Sequence, residues 1–172
     1  MNWRTRAGLW VDRLNVWVSW FCYALLIGIT CIASAQVVLR YFLNRPTSWS
    51  EEVALLCLIW FGLMAVAISI RRHEHLAITF IRDMLPRPLG RALDYMAQIL
   101  VGGFMLVVMF YGRDLVALAG IQVLPASGLP KFWLYVPTLV GGGLGAFNAL
   151  ANLVLGQIEP SPHMTMDEYD AG

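Results

Sequence analysis

Four long stretches without a charged residue constrain this chain more than any other feature of its sequence. They cover residues 14–39, 53–70, 95–112 and 132–158. A helix needs roughly 20 residues, at ~1.5 Å each, to cross a bilayer core of ~30 Å. The chain is 59% hydrophobic and only 13% charged, whereas a soluble domain carries ~25% charged residues. The pattern therefore predicts four transmembrane helices.

The predicted fold is an all-α integral membrane protein that forms a single membrane domain over residues 1–172. The four spans are expected near residues 14–42, 50–71, 89–113 and 132–157, and the third span can extend to 124, where a turn-forming segment begins. Apolar residues recur at helical spacing over residues 76–85, which predicts a short amphipathic interfacial helix between spans 2 and 3. An acidic tail follows at residues 159–172.

The N-terminal segment predicts a retained membrane helix rather than a cleaved signal peptide. Residues 33–35 have the small-x-small pattern of a cleavage site, but the apolar stretch before them is about 19 residues, beyond the usual ~7–15. Trp3, Trp10 and Trp17 recur at intervals of seven. They therefore lie on one side of a helix, where tryptophans typically anchor a chain at the membrane interface.

Lysine and arginine residues near the ends of the spans predict the orientation. One set of flanks carries eight of these residues and the opposite set carries four. The eight are Arg4, Arg6, Arg13, Arg71, Arg72, Arg82, Arg87 and Arg91, and the four are Arg40, Arg45, Arg113 and Lys131. Because cytoplasmic flanks are enriched in positive charge, we expect both termini to be cytoplasmic.

No catalytic or cofactor-binding pattern is evident in the sequence. The four uncharged runs lack the ionisable residue that a proton or ion path would need. His73, His75 and His163 fall outside the middle of every predicted span, where a haem ligand would be required. The three cysteines lie inside apolar runs and are expected to pack as small apolar residues. We expect no enzyme activity, no cofactor, no metal and no nucleic-acid partner.

The connection between the first two spans, "RPTSWSEEV", is the most distinctive polar segment. Ser48 and Glu51 have the spacing of a helix capping box, and Glu52 adds negative charge at the positive end of the helix dipole. Trp49 is expected at the headgroup level. A helix cap is a sufficient explanation of this segment. The alternative is a polar patch that contacts a partner, formed by Arg40, Arg45, Trp49, Glu51 and Glu52.

A glycine-rich segment in the fourth span predicts close helix packing. Gly141 and Gly145 are four residues apart, so they leave one face of the helix without side chains and allow another helix to approach. The approaching helix is either span 3, at residues 102–103, or a helix of another protein. Gly141 and Gly145 are therefore further candidates for partner contact.

Several short motifs follow one another in order along the chain. They are Arg40-Tyr41, Trp49-Ser50-Glu51-Glu52, Trp60-Phe61-Gly62, Arg71-Arg72, Glu74-His75-Leu76 and "GLP" at residues 128–130. In order, spacing and four-span length, the chain resembles the small membrane subunit of tripartite ATP-independent periplasmic (TRAP) transporters, the DctQ-like family. His73 departs from the family pattern, in which glycine is frequent at this position.

The resemblance implies a subunit of a sodium-coupled, binding-protein-dependent transporter for organic acids in the bacterial inner membrane. The implied partners are a large multi-span permease subunit, a periplasmic substrate-binding protein and membrane lipid. The small subunit is then expected to brace the large subunit and to contribute to docking of the binding protein. The alternative, from a different class, is a four-helix membrane anchor subunit of a redox enzyme complex.

Overall fold

Long helices make up most of the described part of the chain. A computed structural model describes residues 3–42, 47–72 and 87–155, with side chains throughout except at positions 3–5, 87, 88 and 91. The helices are α1 (Trp3–Phe42), α2 (Ser48–Arg72), α3 (Arg87–Ala119) and α4 (Phe132–Leu155). Each is long and apolar enough to cross a membrane, which confirms the prediction of an all-α chain with four such helices. The predicted interfacial helix at 76–85 and the tail at 159–172 lie outside the described residues.

Helix α1 is longer than the predicted first span. It runs for 40 residues and joins the N-terminal segment to the span without interruption. No proline occurs before Pro46, so nothing in the backbone chemistry ends the helix between these two parts. At ~1.5 Å per residue α1 is about 60 Å long, twice the thickness of a bilayer core. Trp10 and Trp17 are 73% and 78% exposed on its surface, while the side chain of Trp3 lies outside the described residues.

Helix α3 ends at Ala119, between the two limits that the sequence predicted for the third span. Residues 120–131 then form a compact loop in which Val123 and Pro130 pair as an isolated antiparallel bridge. The loop turns at Gly128, whose φ of 70° lies in the left-handed region that glycine adopts without strain. This loop returns the chain to the start of α4.

The helices pack in a row in the order α1, α2, α4, α3. The most extensive contacts join α3 to α4, α2 to α4 and α1 to α2, and a smaller contact joins α1 to α4. Helix α4 is the most buried of the four and α1 the least. Helices α1 and α3 are therefore the two edges of the row, and both expose broad apolar surfaces.

The glycine face of α4 packs against other helices of this chain. A Cβ atom added at Gly141 would lie 2.9 Å from Leu63 Cβ in α2, and one added at Gly145 would lie 2.9 Å from Met105 Cγ in α3. Both glycines are buried. The sequence suggested these two glycines as candidate contacts for a partner protein. The structure corrects this assignment, because α2 and α3 already occupy the space beside them.

A substitution at Gly142 tests this packing. Its added Cβ would lie 3.0 Å from Met105 O and 3.1 Å from Met109 N, both backbone atoms of α3. Because a helix backbone cannot move aside locally, we expect Gly142→Leu to lower the free energy of unfolding by about 1–3 kcal/mol. Thermal unfolding in detergent measures this loss. Gly103→Leu is the control, since nothing lies within 4 Å of a Cβ at Gly103. Equal losses in the two variants would contradict the packing.

Candidate functional site

Five polar residues from three helices meet near the C-terminal ends of α2 and α4. They form what we call the buried polar cluster: Asp12 and Asn15 of α1, Arg71 of α2, and Asn148 and Asn152 of α4. All of them except Asp12 are buried. Their hydrogen bonds connect α1, α2 and α4, so the cluster holds three of the four helices together.

Asn148 reaches two neighbouring helices through its side-chain amide. Asn148 Nδ2 donates to Asn15 Oδ1 at 2.8 Å and to the carbonyl oxygen of Ala67 in α2 at 2.8 Å, while Asn148 Oδ1 accepts from Asn15 Nδ2 at 2.9 Å. One turn further along α4, Asn152 Nδ2 donates to the carbonyl oxygen of Ile70 at 2.9 Å. Both α4 asparagines are 0% exposed. Because an unpaired amide is costly in an apolar surrounding, these bonds fix the register of α4 against α2.

Arg71 adds a charge to the edge of the cluster. Its Nη1 donates to Asn152 Oδ1 at 2.5 Å, its Nε donates to Asp12 Oδ1 at 2.9 Å, and its Nη2 lies 2.8 Å from the same Asp12 oxygen. The Arg71 side chain is 6% exposed and that of Asp12 is 53% exposed. The carboxylate therefore neutralises the buried guanidinium while it remains in contact with the surroundings. The sequence identified Arg71 only as a cation at a helix end.

The cluster was not predicted from the sequence, because its buried amides carry no charge and only ionisable residues in a span indicate an ion path. Asn148 and Asn152 are four residues apart in an apolar helix, so they lie on the same face. That spacing was the available signal. The pairing of Asn148 with Asn15, which lies 133 residues away, is not encoded in any local pattern.

A double-mutant cycle tests the link between α1 and α4. We expect Asn148→Leu to lower the free energy of unfolding by about 1–2 kcal/mol, because it removes both hydrogen bonds between Asn148 and Asn15 and the one to the Ala67 carbonyl. Adding Asn15→Leu should cause less further loss than Asn15→Leu does alone, since both members of the pair are then apolar. Unfolding in a detergent series measures all four proteins. Strictly additive losses would show that the pair does not couple.

At the opposite end of α2, Glu52 anchors the loop of residues 120–131. Its Oε1 accepts from the backbone N–H of Ala126 at 3.0 Å. Its Oε2 accepts from the backbone N–H of Ser127 at 2.7 Å and from Ser127 Oγ at 2.6 Å. Hydrogen bonds to an ionised carboxylate are stronger than those between neutral groups. One side chain therefore ties the middle of the loop to the first turn of α2.

The start of α2 differs from the predicted capping box. The helix begins at Ser48, and the hydrogen bonds at its start join Thr47 and Ser50. Ser50 N and Ser50 Oγ donate to the Thr47 carbonyl at 3.2 and 2.6 Å, and the two hydroxyl oxygens are 3.0 Å apart. Because Thr47 precedes the helix, the third helical position is Ser50 rather than Glu51. Glu51 instead accepts from Gln36 Nε2 of α1 at 3.0 Å.

The structure describes four of the five residues that the sequence suggested as a partner patch, and it does not bring them together. Glu51 and Glu52 contact different elements of the chain itself, α1 and the 120–131 loop. Trp49 is 49% exposed, and Arg40 is exposed in the last turn of α1. Among the hydrogen bonds and ion pairs of the described residues, none joins Arg40 to either glutamate. Arg45 lies outside the described residues.

A further contact joins α2 to α4 near the start of α4. Pro137 has no N–H group, so it cannot bond to the carbonyl four residues before it, that of Trp133. Trp60 Nε1 of α2 donates to that carbonyl at 3.0 Å. The indole thus replaces the missing helical donor and fixes α2 against α4 at the end opposite to the buried polar cluster.

These contacts can hold helices and a loop in place. Within residues 3–42, 47–72 and 87–155, no group of three or more His, Cys, Asp or Glu side chains could hold a metal ion.

Hydrogen exchange tests the Glu52 anchor. We expect Glu52→Gln to speed exchange of the Ala126 and Ser127 amides, because a neutral amide accepts more weakly and has one acceptor oxygen instead of two. Glu51→Gln is the matched control, since Glu51 does not contact the loop. Equal exchange in the two variants would exclude the anchor.

The chain matches a known protein family over most of its length. The family model described as "Tripartite ATP-independent periplasmic transporters, DctQ component" matches residues 29–157. This range begins inside α1 and includes α2, α3 and α4 entirely. The match therefore covers the helices that contain Glu52, Arg71 and both buried asparagines of α4.

Three relatives place the chain more closely. It is 28% identical over 129 residues to the sialic acid TRAP transporter small permease protein SiaQ of Vibrio cholerae, covering 75% of each chain. It is 25% identical over 126 residues to the sialic acid TRAP transporter permease protein SiaT of Haemophilus influenzae, covering 73% of this chain and only 20% of SiaT. It is 24% identical over 91 residues to the C4-dicarboxylate TRAP transporter small permease protein DctQ of Vibrio cholerae, covering 52% of this chain and 38% of that protein. With the family model matched over residues 29–157, this chain belongs to the DctQ family of TRAP transporter small permease subunits.

Proposed function

We propose that this small permease subunit braces the large transport subunit of a sodium-coupled, binding-protein-dependent transporter for organic acids. The observation that carries the proposal is that three sets of polar contacts between its helices and loop are made within the chain itself. The buried polar cluster, the Glu52 anchor and the Trp60 indole all bond within the chain. The edge helices α1 and α3 expose apolar surfaces instead. Such a unit suits a static support better than a path for a charged solute, which would need polar groups facing a cavity.

The substrate class is proposed from the named relatives. SiaQ and SiaT are named for sialic acid, and DctQ of Vibrio cholerae is named for C4-dicarboxylates. Both are carboxylic acids, so an organic acid is the substrate class that these relatives support. Sodium coupling follows from the resemblance to the family.

The proposed partners are a large multi-span permease subunit and a periplasmic substrate-binding protein. The length of SiaT supports the first of these. This chain aligns with 20% of SiaT, so that permease contains a segment similar to this chain within a much longer protein. The word tripartite in the description of the family supports a further component.

We propose that both termini are cytoplasmic, because the arginine and lysine count favours this orientation. Glu52 and the 120–131 loop then lie on the periplasmic side. Ile121 and Val123 of the loop are 93% and 61% exposed, and Trp49 beside it is 49% exposed. We propose that these apolar side chains contribute to docking of the binding protein. No observation in the described residues favours the alternative of a membrane anchor for a redox enzyme.

Reconstituted transport tests the proposal. The purified complex of both permease subunits, placed in liposomes, is expected to take up an organic acid only with a sodium gradient and the binding protein. Ile121→Ser should raise the binding-protein concentration needed for half-maximal uptake about five- to thirtyfold, as losing a contact of ~1–2 kcal/mol does.

Leu9→Ser is the matched control. Leu9 is a 54% exposed leucine near the N-terminus of α1, on the side of the helices opposite to the 120–131 loop. An unchanged concentration dependence for Ile121→Ser, with the complex intact, would remove the loop from the docking surface. Uptake without sodium would contradict the proposed coupling.

A further inference from the structure

Arg113 and Asp114 form an exposed ion pair inside a membrane-spanning helix. Arg113 Nε lies 3.6 Å from Asp114 Oδ1, and the two side chains are 65% and 69% exposed. Both belong to α3, within its apolar stretch from Ala92 to Ala119. Among the described residues, the polar contacts of these two side chains stay within α3. Ionisable groups in membrane spans almost always face protein or a water-filled cavity rather than lipid.

The packing of α3 on α4 gives the depth of this pair. Gly112, next to Arg113, packs against the side chain of Thr138 in α4. Thr138 is six residues beyond the start of α4 at Phe132, which places it about 9 Å further along the helix axis. Helix α3 also continues past Asp114 as far as Ala119. The ion pair therefore lies more than one helical turn inside the ends of both helices.

The guanidinium of Arg113 points toward the middle of the span. Its Cζ lies 4.7 Å from the centroid of the Phe110 ring, and Phe110 is one turn closer to the centre of α3. An arginine that faces lipid near a helix end typically extends its charge toward the headgroups instead. The cation–π contact and the ion pair together keep this charge at its depth.

We propose that Phe110, Tyr111, Arg113 and Asp114, which we call the α3 patch, are the contact surface for the large permease subunit. That subunit would present polar or charged side chains to the ion pair and apolar ones to the aromatic rings. This inference rests on the proposed function, because it requires the large subunit as the partner. The extra length of SiaT supports this occupant, since the segment that aligns with this chain is there continuous with a longer permease.

The other edge of the row has the character of a lipid-facing surface. Over its uncharged run at residues 14–39, α1 exposes apolar side chains, including Trp17, Tyr23 and Ile27. The uncharged run of α1 therefore differs from the outer half of α3, where an ion pair interrupts the apolar surface.

Site-specific photo-crosslinking in the complete transporter tests the assignment. A photoreactive amino acid replaces Tyr111, which is 68% exposed in the α3 patch, or Ile27, which is 65% exposed in α1 as the matched control. We expect the Tyr111 position to crosslink to the large permease subunit and the Ile27 position not to. Crosslinks from Ile27 alone, from neither position in an intact complex, or between two copies of this chain at Tyr111 would overturn the assignment.

Charge variants provide a second measurement on the same complex. Arg113→Leu removes one charge, and we expect it to lower recovery of the large subunit on the tagged small subunit at least about tenfold, as breaking a covered charge pair does. Arg13→Leu is the control, since Arg13 is an exposed arginine of α1, on the opposite edge of the row. Unchanged recovery for Arg113→Leu would overturn the assignment. If even the unaltered chains fail to co-purify, the proposed function itself fails, and the inference falls with it.

Discussion

A side-chain amide inside a bilayer must find every hydrogen-bond partner within the protein, because no water is available there. Asn148 and Asn152 meet this constraint by bonding to carbonyl oxygens of α2, and Asn148 also bonds to Asn15 of α1. These bonds exist in only one register of the three helices. The position of α3 then follows from the glycines of α4, which allow its backbone to come within van der Waals contact. The row of helices is thus specified by polar contacts of α4 with α1 and α2, and by missing side chains where α4 meets α2 and α3.

The buried asparagines and Glu52 bond to groups of this chain, so these contacts can form whether the chain is separate or part of a longer polypeptide. SiaQ matches this chain over three quarters of its own length, whereas SiaT carries the matching segment as one fifth of a much longer chain. A bundle in which Asn15, Asn148, Asn152 and Glu52 already bond within the chain suits both arrangements, since these groups need no donor or acceptor from the rest of the polypeptide. The surfaces that remain for a partner are the outer faces of the edge helices and the connecting loop, where Ile121 and Tyr111 are exposed.

The helices could be predicted from the sequence because their signal is local and long. Runs without charge fix the number of spans, and a single residue such as Pro46 or Gly128 marks a connection. The partners of the side chains could not be predicted in this way. Glu51 and Glu52 are adjacent in sequence, but one contacts α1 and the other a loop some 75 residues away. The glycines of α4 predicted that a helix approaches closely, but left open whether this helix is span 3 or belongs to another protein. The buried asparagines were not predicted, because amides carry no charge.

The hydrogen bond from Trp60 to the carbonyl of Trp133 has a mechanical consequence. It pins α2 to α4 near the start of α4, and the bond from Asn152 to Ile70 pins the same two helices nineteen residues further along α4. Two pins separated by about 28 Å oppose both sliding and splaying, since either motion would strand donors and acceptors in an apolar medium. We therefore expect a sideways force on α2 or α4 to tilt the two helices together rather than slide one past the other. A partner subunit that moves against this chain would then meet α2 and α4 as a single rigid unit.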